Sequence, residues 1–417
     1  MSKQNQRPIP VTREMVARAY HQVKRKGGSS GVDGQSLSVF ERQLSNNLYK
    51  IWNRMSSGSY FPPAVKEVEI PKPNGQKRPL GIPTVGDRVA QTVVKKHIEE
   101  RLEQVFDEYS YGYRPSRSAH DALKQVRKNC WNYDWVIDLD IERFFDSIAH
   151  TLLLQAVEKH VEEKWVKLYL QRWLAMPIEK SNGERVDRQG KGTPQGGVIS
   201  PLLANLFLHY VLDKWLRKHH PRVKFVRYAD DIIIHCASQA QAEELLEQVS
   251  KRLVACQLSV NTTKTQLVYC KDYQRNGAHQ HVRFDFLGYS FYPIRFRSQL
   301  DGRIRLGFSP AISKTSSKRL LEEVKSLKEF SSTRITLEEI AKELNPKLSG
   351  WIQYYGHYKR YKMRRVLYFL DKRVAHWLRK RYKRVKRSFK KGYTMLSRIY
   401  RENPHLFYHW QVGLHSF

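Results

Sequence analysis

The sequence is poor in acid. Its 417 residues hold 40 Asp and Glu against 74 Lys and Arg, giving a formal net charge of +34 and a pI near 10.0. Charge of that size repels itself in a compact state, so a polyanionic partner is the natural compensation, with nucleic acid ahead of an anionic membrane surface. Long apolar runs are also missing. No stretch approaches the roughly 18 residues of a membrane span, and the polar residues 2–7 hold no apolar segment of a secretory signal. The four cysteines, Cys130, Cys236, Cys256 and Cys270, stand without CxxC spacing. That argues against a zinc ribbon and a disulfide scaffold and fits a reducing compartment. The expectation is a soluble intracellular protein of two to four domains or subdomains.

What is present reads as α+β. Residues 1–60 are mostly helical and polar, with a glycine-rich break at Gly27, Gly28, Gly31 and Gly34. Residues 65–70 open a strand–turn–strand unit around Pro73-Asn74-Gly75. Helical periodicity follows over 87–106, 151–174, 200–216 and 240–255, and strands are expected at 135–139, 266–269 and 284–292. The apolar runs 223–226 and 232–234 flank Arg227-Tyr228-Ala229-Asp230-Asp231, the pattern of a β-hairpin with acids at its tip. Beyond about 310 the strands stop. Helices are expected at 316–329, at 337–344 and over 347–382, with a break near Gly356. Between 351 and 400 there are 17 Lys or Arg and one acid, Asp371, interleaved with Trp and Tyr. The stripe Leu348, Trp351, Ile352, Tyr355 is expected to pack inward and the basic face to track a nucleic-acid backbone. A domain boundary is expected near 300–312.

The acids carry the chemistry. Asp140 lies just past the strand 135–139, and Asp230 and Asp231 lie in the hairpin. An acid pair at a turn is ordinarily solvated, but here apolar strands flank it in a strongly basic chain. Joining a nucleotide to a 3′ hydroxyl is an in-line displacement at phosphorus, which two metals about 3.5–4 Å apart stabilise. Mg²⁺ prefers hard oxygen ligands and keeps several waters, so two or three carboxylates with the substrate phosphates suffice.

Several blocks then resemble, in order, the reverse transcriptases encoded by bacterial group II introns, the intron maturases. They are Gly31-Val32-Asp33-Gly34; Ile70-Pro71-Lys72-Pro73-Asn74-Gly75 through Arg78-Pro79-Leu80-Gly81-Ile82-Pro83; Ser110-Tyr111-Gly112-Tyr113-Arg114-Pro115; and residues 140–146. Gly192-Thr193-Pro194-Gln195-Gly196-Gly197 follows, with Ser200-Pro201-Leu202-Leu203-Ala204-Asn205, Tyr228-Ala229-Asp230-Asp231, residues 258–264, Phe286-Leu287-Gly288-Tyr289, and Leu344-Asn345-Pro346 with Gly350-Trp351. The resemblance runs from about residue 18 to the C-terminus. It implies a right-hand polymerase fold of fingers, palm and thumb with a helical basic C-terminal thumb/maturase domain. The implied divisions are an N-terminal extension (1–60), fingers and palm (61–310), the thumb/maturase domain (311–385) and a short basic segment (386–417).

The resemblance also implies site roles. Asp140, Asp230 and Asp231 would hold two Mg²⁺ ions, with Ile141 counted among the metal contacts. In the family an aromatic stands five positions after the first acid. That position is Phe145 from Asp140 and Arg143 from Asp138, so Asp140 is taken as the ligand. Phe145 would then collide with a ribose 2′-hydroxyl, while one of Phe144 and Phe145 is core. Lys72, Arg78, Gln195 and Lys264 would contact the incoming nucleotide, Lys264 being equally readable as a surface lysine. Arg114, Arg117, Gly196 and Tyr228 would contact template or primer, Arg114 and Arg117 being readable also as salt-bridging arginines. Lys380, Arg381, Lys383, Arg384, Lys386 and Arg387 would bind RNA backbone. Arg143 stands where the family usually has glycine, its side chain open to either triphosphate or template.

The implied function is DNA synthesis on an RNA template by an enzyme that also binds its intron RNA to assist splicing and mobility. The partners would be intron RNA, RNA template, DNA primer or target and dNTPs, with no membrane, for a monomer or homodimer in the bacterial cytoplasm at the nucleoid. His405, His409 and His415 lack cysteine partners, so no endonuclease is expected. The rivals are a non-catalytic RNA-binding splicing maturase and a domesticated reverse transcriptase used in DNA repair or defence.

Overall fold

A computed structural model describes residues 9–71, 77–298, 301–385 and 388–417. The chain divides into two compact units, Met1–Val126 with Ile137–Leu267, and Arg127–Val136 with Val268–Phe417. Among the described residues no helix is long and apolar enough to cross a membrane.

The first unit is built around the helix Val85–Glu103. Thr84 caps its N-terminus, and Val85, Val89, Val93, Ile98 and Leu102 are all buried. The helix Arg13–Lys26 buries Val16, Ala19, Tyr20 and Val23, an i, i+3, i+4, i+7 stripe, and packs against it. One sheet pairs β1 (Val65–Pro71) with β2 (Lys77–Ile82) antiparallel, from Lys66 opposite Ile82 to Pro71 opposite Lys77. It continues through the short strands β4 (Ile178–Glu179) and β5 (Arg185–Val186). The other sheet has the order β6 (Lys224–Tyr228), β7 (Asp231–Cys236), β3 (Trp135–Leu139), β8 (Gln266–Tyr269). Strands distant in sequence thus lie side by side. The expected helix over 151–174 is two, His150–Glu158 and Lys164–Leu174. Between them Glu163 leaves helical geometry and binds Arg101 (2.7 Å) and His97 (3.0 Å). The expected helix 200–216 carries a π-helical turn at His209–Asp213, a feature frequent at functional sites.

In the second unit the single strand expected at 284–292 is a hairpin, β9 (Phe284–Phe286) and β10 (Tyr289–Arg297). Leu287 (φ 49°) and Gly288 (φ 78°) form its two-residue turn, both left-handed as a type I′ turn requires. Strand β11 (Ile304–Ile312) pairs with β10 along its length. Helices follow at Lys314–Ser326, Leu337–Tyr355, Arg364–Arg381 and Phe389–Glu402. The second opens with a capping box, Thr336 and Glu339, and ends at Gly356, where the break was expected. Leu348, Ile352 and Tyr355 are buried, while Trp351 is only half-buried.

The C-terminal segment is bound from two sides. Asn345 donates to the Leu406 carbonyl (3.0 Å) and accepts from the Tyr408 N–H (2.8 Å). Asp371, fully buried, accepts from Trp410 Nε1 (2.9 Å) and the Ser416 N–H (3.0 Å) and pairs with His409 Nε2 (2.9 Å). The one acid of the basic region is therefore a structural acceptor. Asp371→Ala is expected to destabilise the second unit by about 3 kcal/mol, because buried polar groups that lose their partner cost about 1–3 kcal/mol each. Faster hydrogen exchange confined to residues 406–417 and their helical partners checks it.

Candidate functional site

The first unit holds a cleft of about 970 Å³ lined by Asp140, Phe145, Gln195, Asp230 and Lys264 among others. Asp140 enters it from the end of β3. Its backbone is fixed to the segment before β8, with its carbonyl accepting from the Asn261 N–H (2.8 Å) and its N–H donating to Thr265 Oγ1 (3.1 Å). Ile141, buried at the wall, bridges Val260 in the non-hydrogen-bonded register, so its carbonyl points away from that partner.

Asp230 enters from the β6–β7 hairpin. Tyr228 and Asp231 are paired, leaving Ala229 and Asp230 as a two-residue turn. Ala229 has φ 58°, where glycine is usual, and two neighbours hold it there, Arg227 and Gly112. The fully buried Arg227 donates Nη1 to the Ala229 carbonyl (3.1 Å) and to Asn205 Oδ1 (2.9 Å). Its other nitrogens take the buried carboxylate of Asp213 at 2.8 and 2.6 Å, at the end of the π-helical turn. Gly112 lies so near that a Cβ there would stand 2.4 Å from the Ala229 nitrogen, and its carbonyl accepts from Asn205 Nδ2 (2.7 Å). Two separate motif blocks, those of Gly112 and Asn205, thus meet behind the block of the acid pair.

The electrostatics are those of crowded like charges. Burial first, then Asp230, Asp138 and Asp140, push the Asp231 carboxyl up to about 7. The Asp231 surface is open to solvent, which limits what desolvation can contribute; the neighbouring carboxylates act regardless. Lys264 Nζ lies 2.9 Å from Asp140 Oδ2, a partial counter-charge. The donors are hard oxygens, the chemistry Mg²⁺ prefers. Among the described residues no three His, Cys, Asp or Glu side chains are gathered closely enough to hold an ion by themselves.

The glycine-rich loop lines the cleft between β2 and the turn Phe144–Ser147. Gly81 N–H donates to the Gln195 carbonyl (2.7 Å), Thr193 N–H to the Phe145 carbonyl (2.8 Å), and Gln195 Nε2 reaches Asp146 (3.2 Å). Gly196 has φ 118° and touches the Gly81 carbonyl, leaving no room for a side chain. Behind the loop, Gln91 Oε1 accepts from the Val198 and Ile199 N–H groups (2.7 and 3.2 Å), and its amide donates to buried Asp87 (2.8 Å). Phe144 and Phe145 do not point apart as in a strand; they sit in one helical turn, both buried, with rings 5.4 Å apart and edge-on.

With this geometry established, the comparisons are specific. Residues 70–291, more than half of the chain, match the family model "Reverse transcriptase (RNA-dependent DNA polymerase)", and residues 317–394 match "Group II intron, maturase-specific domain". The chain belongs to the group II intron reverse transcriptase/maturase family. Among its relatives, Protein YkfC of Escherichia coli (strain K12) is 31% identical over 279 residues, 58% of this chain and 73% of the relative. Group II intron-encoded protein LtrA of Lactococcus lactis subsp. cremoris is 36% identical over 202 residues, 46% of this chain and 31% of LtrA. The Putative COX1/OXI3 intron 1 protein of Saccharomyces cerevisiae is 25% identical over 310 residues, 62% of this chain and 37% of the relative.

The other expected site residues are placed as follows. Of the two readings of Arg114, template contact and salt bridge, the structure shows the second, with a side chain only 5% exposed. It binds Glu103 (2.9 Å) and the carbonyls of Asp107 and Ser110 (both 2.7 Å), so its donors are committed inside the fold. Arg117 is exposed, donating to the Glu108 carbonyl (3.0 Å) over the Tyr111 ring. Tyr228 is half-buried at the end of β6. Lys380 and Lys383 are exposed, whereas Arg381 donates to the Thr333 and Ile335 carbonyls and lies over Trp377. Arg143 is left-handed (φ 43°), which accounts for the glycine usual at its position. Lys72, Lys386 and Arg387 lie outside the described residues, as do the side chains of Arg78 and Arg384.

Sequence reasoning missed Arg227, Asp213, Asn205 and Gln91. The one available signal was a buried-length apolar strand, 223–226, running directly into an arginine. Arg227→Met leaves Asp213 as an unpaired buried charge and is expected to cost about 3–5 kcal/mol, with much of it recovered in Arg227→Met/Asp213→Leu. Denaturant midpoints of the two variants check this.

Proposed function

We propose that this chain is an RNA-directed DNA polymerase of a group II intron that also binds the intron RNA to assist splicing and mobility. The observation that carries the reading is the meeting of Asp140 and Asp230 on one cleft, with Asp231 and Asp138 close enough to be felt electrostatically. In this reading β1 and β2 belong to the fingers, the sheet bearing Asp140 and the hairpin is the palm, and the helices after 311 form the basic thumb.

Two Mg²⁺ ions, when bound to Asp140, Asp230 and Asp231, would stabilise the attacking and leaving oxygens of the displacement. The chain's own residues do the rest. The Arg227 clamp fixes where Asp230 stands, and carboxylates preset in this way need no reorganisation as charge develops. Lys264 holds Asp140 until a nucleotide arrives, and its ammonium is then available to triphosphate oxygens. The Gln195 amide and the backbone around Gly196 line the nucleotide's path. Phe145, buried against Phe144, cannot swing aside, so it presents a fixed wall to the sugar.

Support for the RNA part comes from the maturase-specific match, the net charge and the exposed Lys380 and Lys383. The spread of charge suits recognition of RNA backbone, with RNA template and DNA primer or target engaged by the first unit.

Asp230→Asn is expected to lower dNTP incorporation on a primed RNA template by at least about a thousandfold while RNA affinity stays within twofold of wild type, a loss of about 4 kcal/mol in barrier terms. Wild-type protein that incorporates nothing with Mg²⁺ on any primed template would instead mark a splicing factor that only binds. Phe145→Ala is expected to admit ribonucleotides, read as a fall in the dNTP over rNTP preference; unchanged rejection would place the sugar wall elsewhere.

A further inference from the structure

Away from the cleft, the second unit contains a pocket of about 230 Å³ lined by Arg127, Ser309, Pro310, His357, Tyr358 and Lys359. Among the described residues two cations line it and no acid does. Arg127 projects from the helix Ala119–Asn132. Its guanidinium is held 4.4 Å over the Trp131 ring and 5.5 Å from that of Tyr358, and its buried Nε has no hydrogen-bond partner among the described residues. A buried guanidinium nitrogen ordinarily has an acceptor, so this one retains capacity for an anion entering the pocket.

Lys359 comes from the turn after the helix Leu337–Tyr355. It is half-buried and left-handed (φ 49°, ψ 52°), a conformation that costs a side-chain-bearing residue about 1–2 kcal/mol and suits glycine or asparagine better. Burial and then the Arg127 charge lower its affinity for a proton. A strained, partly desolvated lysine facing an arginine is unfavourable in isolation and favourable once an anion lies between them. Ser309 adds a hydroxyl to the same wall.

Beside the pocket stands Trp131. Its Nε1 donates to the Phe308 carbonyl (3.1 Å), which fixes the indole, yet the residue is 52% exposed. Arg127 lies over the ring, and the exposed half of the residue leaves surface for a planar group to stack on. A fixed aromatic face next to a cationic pocket is the arrangement by which single-stranded nucleic acid is held, base on ring and phosphate on cation.

We propose that Arg127 and Lys359 form a phosphate site that seats one backbone phosphodiester of single-stranded RNA, with the neighbouring base stacked on Trp131. This rests on the RNA-binding part of the reading above and assigns it a place that the basic run 380–387 does not include.

The test uses the full chain and a fluorescent single-stranded RNA, with affinity measured across a salt series. Lys359→Asn tolerates the left-handed backbone and removes the charge. It is expected to bind several-fold more weakly, with the slope of log affinity against log salt smaller by about one, and with an unchanged or higher melting midpoint. Trp131→Ala is expected to weaken binding about fivefold or more with the slope unchanged. Wild-type affinity and slope in Lys359→Asn would overturn the site while leaving RNA binding itself intact. Wild-type protein that binds no RNA would instead remove the reading on which it rests. If inorganic phosphate raises the melting midpoint of wild type but not of Lys359→Asn, and RNA binding is the same in both, a free-anion site replaces the polynucleotide one.

Discussion

Four carboxylates, Asp138, Asp140, Asp230 and Asp231, crowd one end of a sheet in a chain whose net charge is +34. With 74 cationic side chains available, acids with no special role would be expected to disperse among them. Here Lys264 reaches Asp140 and Gln266 reaches Asp138 (3.1 Å), while at Asp231 the neighbouring carboxylates outweigh the pull of Lys264. Mutual repulsion has to be held in place by the fold, and much of the first unit is organised to do so.

The holding parts are buried and polar. Arg227 and Asp213 form an ion pair with neither partner exposed, and the pair exists to present the Ala229 carbonyl and hence the turn. Removing such charges from water is costly, and a hydrophobic pair would usually serve stability as well or better. What the ion pair supplies is direction, since a planar guanidinium fixes two carboxylate oxygens, an amide oxygen and a backbone carbonyl at once. A second buried network, Tyr60 and Trp173 on Asp87 and Asp87 through Gln91 to the loop at Val198, does the same for the glycine-rich wall. Burial raises the Asp87 carboxyl to about 6 against the pull of these hydrogen bonds.

Local patterns were legible in the sequence because they depend on neighbours. The apolar runs 223–226 and 232–234 pointed to the hairpin, Gly356 to the helix end, and the ordered motif blocks to the family. Turns without their usual residue were not legible: Leu287 and Ala229 adopt left-handed backbone where glycine is normal, because tertiary contacts override local preference. Partners distant in sequence were equally hidden. Nothing near Arg114 announces that Glu103 and two carbonyls will take its donors, and nothing near Gln91 announces Val198. The acids themselves could be named from their blocks, whereas the parts that aim them could not.

The most direct measurement of the central claim is divalent-cation binding followed by water-proton relaxation with Mn²⁺, in wild type, Asp140→Asn, Asp230→Asn and Asp138→Asn, each with primer–template and a non-reacting dNTP analogue. Loss of the tight Mn²⁺ sites in both Asp140→Asn and Asp230→Asn, with Asp138→Asn close to wild type, is the expected result. Undiminished Mn²⁺ binding in either of the first two would contradict the claim that these carboxylates, separated by ninety residues of chain, act as one site.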